Sequence, residues 1–126
     1  MERNPPLKRT SLDCSNGAQI RFVTLEESHF IEEKDIEELG KEIHRYFESE
    51  FYGPDVPICI DLKKIDFLNS GVLGKLIIAN RMQKEHYKKP LGIVNIHPHV
   101  HEIFQGTSLG TTFNIKSTRQ EYLDSL

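Results

Sequence analysis

The sequence lacks the features that would assign it to a membrane, secreted or nucleic-acid-binding class. It has no apolar run of the roughly 20 residues needed to cross a bilayer. Residues 1–6, Met-Glu-Arg-Asn-Pro-Pro, contain no apolar signal core. The formal net charge is −3, whereas nucleic-acid binding normally requires a basic face. We therefore expect a cytoplasmic protein that binds neither membranes nor nucleic acid.

Cysteine is scarce as well, since the chain has only Cys14 and Cys59. Two cysteines do not make the disulfide framework of a small secreted domain, and Cys59 lies in an apolar segment where a reduced thiol packs as a small hydrophobic side chain. With 126 residues, 37% of them hydrophobic and 28% charged, the chain is typical of a globular protein with one core. We expect residues 1–126 to form a single domain.

Apolar periodicity predicts strands alternating with helices. Two strands, over 7–13 and 18–25, flank Asn16-Gly17, a pair that supplies the positive φ angles of a tight hairpin turn. In the second strand, alternating residues predict one buried face. The remaining predicted elements, in chain order, are a helix over 32–47, a strand over 56–62, a helix over 71–87, a strand over 91–96, a helix over 99–105, a strand over 112–115 and a tail helix over 119–126.

This order of elements predicts an α/β fold. Strands separated by helices pair in parallel through right-handed crossovers, and the hairpin adds an antiparallel edge. We predict a mixed sheet of four to five strands, three main helices and a C-terminal tail helix. The predicted inner side of the helix over 71–87 is Val72, Leu73, Leu76, Ile77 and Asn80.

Ser70 is the hydroxyl whose setting the sequence specifies best, because it stands between a buried strand and an amphipathic helix. A serine in this position can cap the helix, a contribution of about 1 kcal/mol. Asn69 could supply the cap instead, which would leave the Ser70 hydroxyl exposed. A phosphate on Ser70 would gain from the helix dipole and the free N–H groups while adding nearly two negative charges.

Catalysis, a metal site and a cofactor are not predicted. The Gly-x-Ser-x-Gly elbow is absent, and no histidine and acid are predicted beside Ser70 to activate it. Alternating histidines at 97, 99 and 101 suggest a metal site, but Pro98 and the helical pattern break the strand geometry. No cysteine or carboxylate cluster completes a tetrahedral set.

Two further features have more than one interpretation. Gly74 weakens its helix by about 1 kcal/mol relative to alanine, which close packing on the sheet or access of a partner to Ser70 would explain. An acidic group is either a solvated face or a surface that steers a basic partner, and in the predicted fold it lies at the same end of the sheet as Ser70. Its members are Glu26, Glu27, Glu32, Glu33, Asp35, Glu37 and Glu38.

The segment 61–76, DLKKIDFLNSGVLGKL, resembles the core of STAS domains, the fold of bacterial anti-sigma factor antagonists. The family pattern there is Phe, a hydrophobic residue, Asp-Ser-Ser-Gly-Leu-Gly and then a helix. This chain has Asn69 where the family usually has aspartate, Gly71 in place of the second serine, and Val72 in place of a glycine. The resemblance extends over about 18–115.

The resemblance implies a regulatory function. Ser70 falls at the family's phosphorylatable serine, which a GHKL-type kinase modifies; that kinase is also the anti-sigma factor, and a PP2C-type phosphatase reverses the modification. The unphosphorylated antagonist binds the kinase and frees the sigma factor. The partner-binding residues implied are Asn69, Ser70, Gly71, Val72 and Gly74.

A second function stays open, that of a STAS module which is never phosphorylated and assembles into a larger signalling complex. Asn69 and Gly71 favour this module, whereas Ser70 favours the phosphorylation switch. In either case we expect a monomer or a weak dimer.

Overall fold

The computed structural model describes residues 9–17, 19–27, 30, 32–48, 52–105 and 108–126. The strands are β1 (Thr10–Asp13), β2 (Arg21–Leu25), β3 (Ile58–Asp61), β4 (Gly92–Val94) and β5 (Asn114–Ile115). The helices are α1 (Glu33–Glu48), α2 (Ser70–Tyr87), α3 (Pro98–Gln105), α4 (Leu109–Thr112) and α5 (Arg119–Asp124). One sheet has the order β1-β2-β3-β4-β5, with β1 antiparallel to β2 and the other neighbours parallel. The predicted α/β fold is confirmed.

The structure corrects some boundaries. The first strand ends at Asp13 and the second begins at Arg21, so their connection is longer than the predicted tight turn. Leu7 and Ala18, where the two strands were predicted to begin, lie outside the described residues. Gly17 has a φ of 78°, and the Asn16 side chain accepts N–H groups of Gln19 and Ile20 at 3.0 and 3.1 Å. The last predicted strand is shortened because its first residue belongs to α4, which was not predicted.

The main core lies between the sheet and the helices α1, α2 and α3. Leu39, Leu76 and Phe104, one from each helix, are fully buried there. Parallel strands joined by helices place those helices against the sheet, and burial of their apolar stripes is the main stabilising contribution. None of the described helices is long and apolar enough to cross a membrane.

The inner side of α2 differs in part from the prediction. Val72, Leu76 and Asn80 are buried as expected, whereas Leu73 and Ile77 are only partly buried and pack at the edge of the core. Ala79 and Gln83 are buried instead.

Gln83 reaches the interior because its amide pairs with the backbone of Ile58. It accepts the Ile58 N–H at 3.1 Å and donates to the Ile58 carbonyl at 2.9 Å. Buried polar groups are tolerated when hydrogen-bonded, and no apolar periodicity reveals such a pair.

The second face of the sheet is covered by α5. For this reason β2 is buried at every residue, and the prediction of one buried face was wrong. The Tyr122 ring packs edge-on to Phe22, with centroids 6.2 Å apart. It also fills the space beside Gly92, where an added Cβ would lie 2.3 Å from the ring. Cys59 is buried beneath this helix, and burial raises the pKa of its thiol.

Ion pairs of Arg119 link α5 to the sheet. Its Nε donates to the fully buried Asp61 carboxylate at 2.8 Å, and its Nη1 donates to Asp13 at 2.8 Å. The Asp61 carboxylate also accepts the Asn95 side chain at 3.0 Å and the Lys63 N–H at 2.9 Å. A buried carboxylate is stable only when paired and hydrogen-bonded in this way.

We predict that Leu76→Ala lowers the free energy of unfolding by about 2–5 kcal/mol, because it leaves a cavity in the main core. Ile78→Ala on the same helix is the control, since Ile78 is 46% exposed, and should cost about 0.5 kcal/mol or less. Urea unfolding measures both. Equal losses for the two variants would contradict the orientation of α2.

We also predict that Arg119→Met costs about 2–3 kcal/mol of stability, because the Asp61 carboxylate loses its charged partner but keeps two other donors. Asp61→Asn should cost less in the Arg119→Met background than in the wild type. Denaturant melts of the four proteins form a double-mutant cycle. Additive losses would show that the two side chains do not interact.

Candidate functional site

The loop between β3 and α2 places Ser70 at the end of the sheet where the parallel strands finish. The Ile65 and Leu68 side chains are buried, and the Ile65 N–H donates to the Leu62 carbonyl at 3.0 Å. Between these anchors, Phe67 is 55% exposed. Ile65 and Leu68 thus anchor the loop in the core, whereas the aromatic ring of Phe67, three residues before Ser70, is exposed to solvent.

Asn69, and not Ser70, caps α2. The Asn69 Oδ1 accepts the Val72 N–H at 2.9 Å, and its Nδ2 donates to the Phe30 carbonyl in the segment before α1. Ser70 is the first residue of α2 and is exposed, and its hydroxyl makes no hydrogen bond with any residue that the structure describes. The prediction that Ser70 lies accessible at the N-terminal end of this helix is confirmed.

The implied partner-binding residues are not equally available. Ser70 and Gly71 are exposed, and Asn69 and Gly74 are half-buried. The Val72 side chain is 1% exposed and belongs to the main core. As a correction to the predicted set, Val72 supports α2 from inside and does not present its side chain to a partner.

Ser70 faces a groove between the N-terminal halves of α1 and α2. We call its first part the Ser70 depression; it has a volume of about 350 Å³ and is lined by Glu33, Ile36, Glu37, Ser70, Gly71, Gly74, Lys75 and Ile78. The two helices approach closely at Gly71, where an added Cβ would lie 3.0 Å from Ile36 Cδ1. The start of α1 and the start of α2 therefore share one surface, as predicted.

Gly74 is open on this surface. An added Cβ there would meet no atom within 4 Å, so close packing on the sheet does not explain the glycine. Its effect is to leave the helix surface beside Ser70 free of side chains.

Basic side chains pair with several of the acidic residues near the start of α1. Arg9 contacts Asp35 at 2.8 Å and Glu38 at 2.6 Å, and Lys75 Nζ lies 3.2 Å from Glu37. Lys64 pairs with Glu26 and lowers the pKa of that carboxyl, with a further contribution from Ser11. These pairs offset part of the charge of the acidic group, and steering of a basic partner by that group stays a prediction.

The histidines at 97, 99 and 101 lie in α3 and just before it. The rings of His97 and His99 stack with centroids 5.1 Å apart, and the His101 N–H donates to the His97 carbonyl at 2.9 Å. Among the residues that the structure describes, no group of three or more His, Cys, Asp or Glu side chains is placed to hold a metal ion.

Two surface residues beside Ser70 were not identified from the sequence. Phe67 fits the hydrophobic pattern of a loop that is otherwise anchored in the core, and its exposure follows only from the path of the backbone. Lys75 fits a solvated helix position, and its contact with Glu37 depends on how α1 and α2 cross.

No protein-family model matches the sequence, and no curated protein matches it. Solved structures do. An anti-sigma-factor antagonist (STAS) domain protein from Planctomyces limnophilus is 18% identical with a TM-score of 0.75, over 92% of this chain and 96% of that one. An anti-sigma factor antagonist from Mycobacterium paratuberculosis is 21% identical with a TM-score of 0.72, over 92% and 91%.

The Bacillus cell fate determinant SpoIIAA, in its phosphorylated form, is 15% identical with a TM-score of 0.59, over 92% of this chain and 97% of that one. At these identities the similarity concerns the fold. The chain has the fold of STAS domains, as its central motif predicted.

We predict that Asn69→Ala lowers stability by about 1–2 kcal/mol, because α2 loses its cap and the Phe30 carbonyl loses a donor. Asn69→Asp should cost less, since its carboxylate still caps the helix and favours the dipole, although it cannot donate to Phe30. Chemical denaturation ranks the variants. If Asn69→Ala leaves the free energy of unfolding unchanged, neither the hydrogen bond to Val72 nor the one to Phe30 contributes to stability.

Proposed function

We propose that this chain is a protein-binding regulator of the anti-sigma factor antagonist type, controlled by phosphorylation of Ser70. The observation that carries the proposal is the division of roles at the start of α2. Asn69 provides the helix cap, so the adjacent Ser70 hydroxyl is exposed and is not required for the fold. The likeness to structures of anti-sigma factor antagonists, and to that of SpoIIAA in its phosphorylated form, supports the assignment.

A phosphate on Ser70 would act on binding and not on folding. It would stand at the positive end of a helix of 18 residues, where free N–H groups and the dipole favour an anion. It would also add nearly two negative charges to a surface lined by two glutamates and one lysine. A partner that buries this surface would then meet an uncompensated desolvation cost.

The surface around Ser70 suits a protein partner. The exposed Phe67 ring and the half-exposed Ile78 side chain flank the serine region and offer apolar area of the kind that anchors interfaces. The partner we propose is a GHKL-type serine kinase that is also an anti-sigma factor, with a PP2C-type phosphatase to reverse the modification. We propose that the protein acts in the cytoplasm as a single domain, as a monomer or weak dimer, without nucleic acid.

The setting of Ser70 supports a phosphate acceptor and not a nucleophile. Among the residues that the structure describes, those lining the Ser70 depression include two glutamates and a lysine but no histidine. A catalytic serine needs a base within hydrogen-bonding distance and a group that orients the base. We therefore propose that this protein is not an enzyme.

The alternative is a STAS module that is never phosphorylated and works within a larger signalling complex. The structure favours it at one point: Asn69 and Gly71, which replace the family's aspartate and serine, are used in packing the start of α2 against Phe30 and Ile36. Phosphate transfer discriminates the two functions.

The test incubates the wild type with the kinase encoded beside it and ATP, and maps the modified residue by mass spectrometry. Ser70→Ala should bind the kinase but accept no phosphate, and Ser70→Asp should stay folded and bind more weakly. Ser108→Ala, which removes another exposed serine at a helix start, should behave as the wild type. Tight binding without transfer would favour the module, and modification elsewhere would reject Ser70 as the switch.

A further inference from the structure

Lys75 divides the groove between α1 and α2. Beyond the Ser70 depression lies a second one of about 180 Å³, here called the distal depression, lined by Glu37, Gly40, Lys41, Ile43, His44, Lys75, Ile78, Ala79 and Met82. Glu37, Lys75 and Ile78 line both. The Lys75 side chain lies over Gly40, where an added Cβ would be 2.8 Å from Lys75 Cδ. It therefore crosses the groove from α2 to α1 and separates the two parts.

The contact that holds Lys75 in this position is weak. Its Nζ lies 3.2 Å from Glu37 Oε1, and the two side chains are 23% and 57% exposed. Ion pairs so accessible to water contribute little to stability. A phosphoserine has nearly two negative charges and three acceptor oxygens, so it competes well for the same ammonium group.

On α2, the surface between Lys75 and Ser70 is formed by two glycines, with the Ile36 side chain of α1 packed against the first of them. Gly71 and Gly74 stand there, and an added Cβ at Gly74 would meet nothing within 4 Å. Long side chains on a helix are directed toward its N-terminus. The Lys75 ammonium can therefore turn from Glu37 toward residue 70 over the open surface at Gly74.

We propose that Lys75 senses phosphorylation of Ser70, its ammonium group leaving Glu37 to pair with the phosphate. The inference rests on the proposed function, because it requires a phosphate on Ser70. When Lys75 moves, Glu37 loses its counter-ion, Gly40 is uncovered, and the two depressions join. The phosphorylated surface then differs from the unmodified one along the groove and not only at residue 70, so a partner can distinguish the two forms at both places.

The test places phosphoserine at position 70 during translation and measures the second pKa of the phosphate by ³¹P NMR, so it needs neither kinase nor partner. Lys75 lowers this pKa because it favours the dianion. Lys75→Met should raise it by about half a pH unit. Glu37→Gln should lower it below the wild-type value, since Lys75 is then free to turn.

Lys84→Met is the matched control, because Lys84 is exposed near the other end of α2, and should leave the pKa unchanged. In ¹H–¹⁵N spectra, the Gly40 amide should shift when residue 70 is phosphoserine, and Lys75→Met should abolish that shift. Equal phosphate pKa values in the wild type and Lys75→Met would overturn the proposal. That result would not contradict the proposal that Ser70 is phosphorylated. Conversely, failure of a kinase to modify Ser70 would contradict the proposed function but not the measured contact between Lys75 and the phosphate.

Discussion

The carboxylate of Asp61 is fully buried at the end of β3, and donors from three separate parts of the chain converge on it. Lys63 belongs to the loop that leads to Ser70, Asn95 follows β4, and Arg119 begins α5. Leaving a buried charge unpaired costs several kcal/mol. The folded state therefore keeps all three segments in contact with the Asp61 carboxylate. The loop before the site and the cover over the second sheet face are thus tied to one point.

The site itself depends on a separation of structural and exposed groups. Asn69 uses both ends of its amide, one to cap α2 and one to hold the segment before α1. This leaves Ser70 without a structural task that the described contacts reveal. A residue can be modified without loss of the fold only under that condition, and this arrangement is the physical basis of the proposed switch.

The electrostatics of the groove are local. Pairs such as Arg9 with Asp35 and Lys75 with Glu37 offset charge within a few ångströms, so a new charge at residue 70 acts on its immediate neighbours more than on a distant partner. Among the described residues that line the Ser70 depression, Lys75 is the cation. A rearrangement of this pair would connect the chemistry at one residue to the shape of a larger surface.

Much of the fold follows from the sequence, because alternating apolar periods specify helices and strands locally. Apart from α4, the order of strands and helices was predicted over the described residues, and so was Ser70 at the start of α2. The apolar stripe of α2 was only partly correct. Gln83 is buried because it pairs with the backbone of Ile58, a residue on β3 whose proximity no local pattern reveals.

What the sequence by itself determined is therefore the alternation of elements, the central motif and the place of Ser70 in it. Only the tertiary structure decided that Asn69 is the cap, that Phe67 is exposed and that Lys75 reaches Glu37. It also decided that β2 is covered on both faces, because α5 returns across the sheet from the far end of the chain. These features depend on contacts between residues distant in sequence, whose geometry is set by packing and not by local preference.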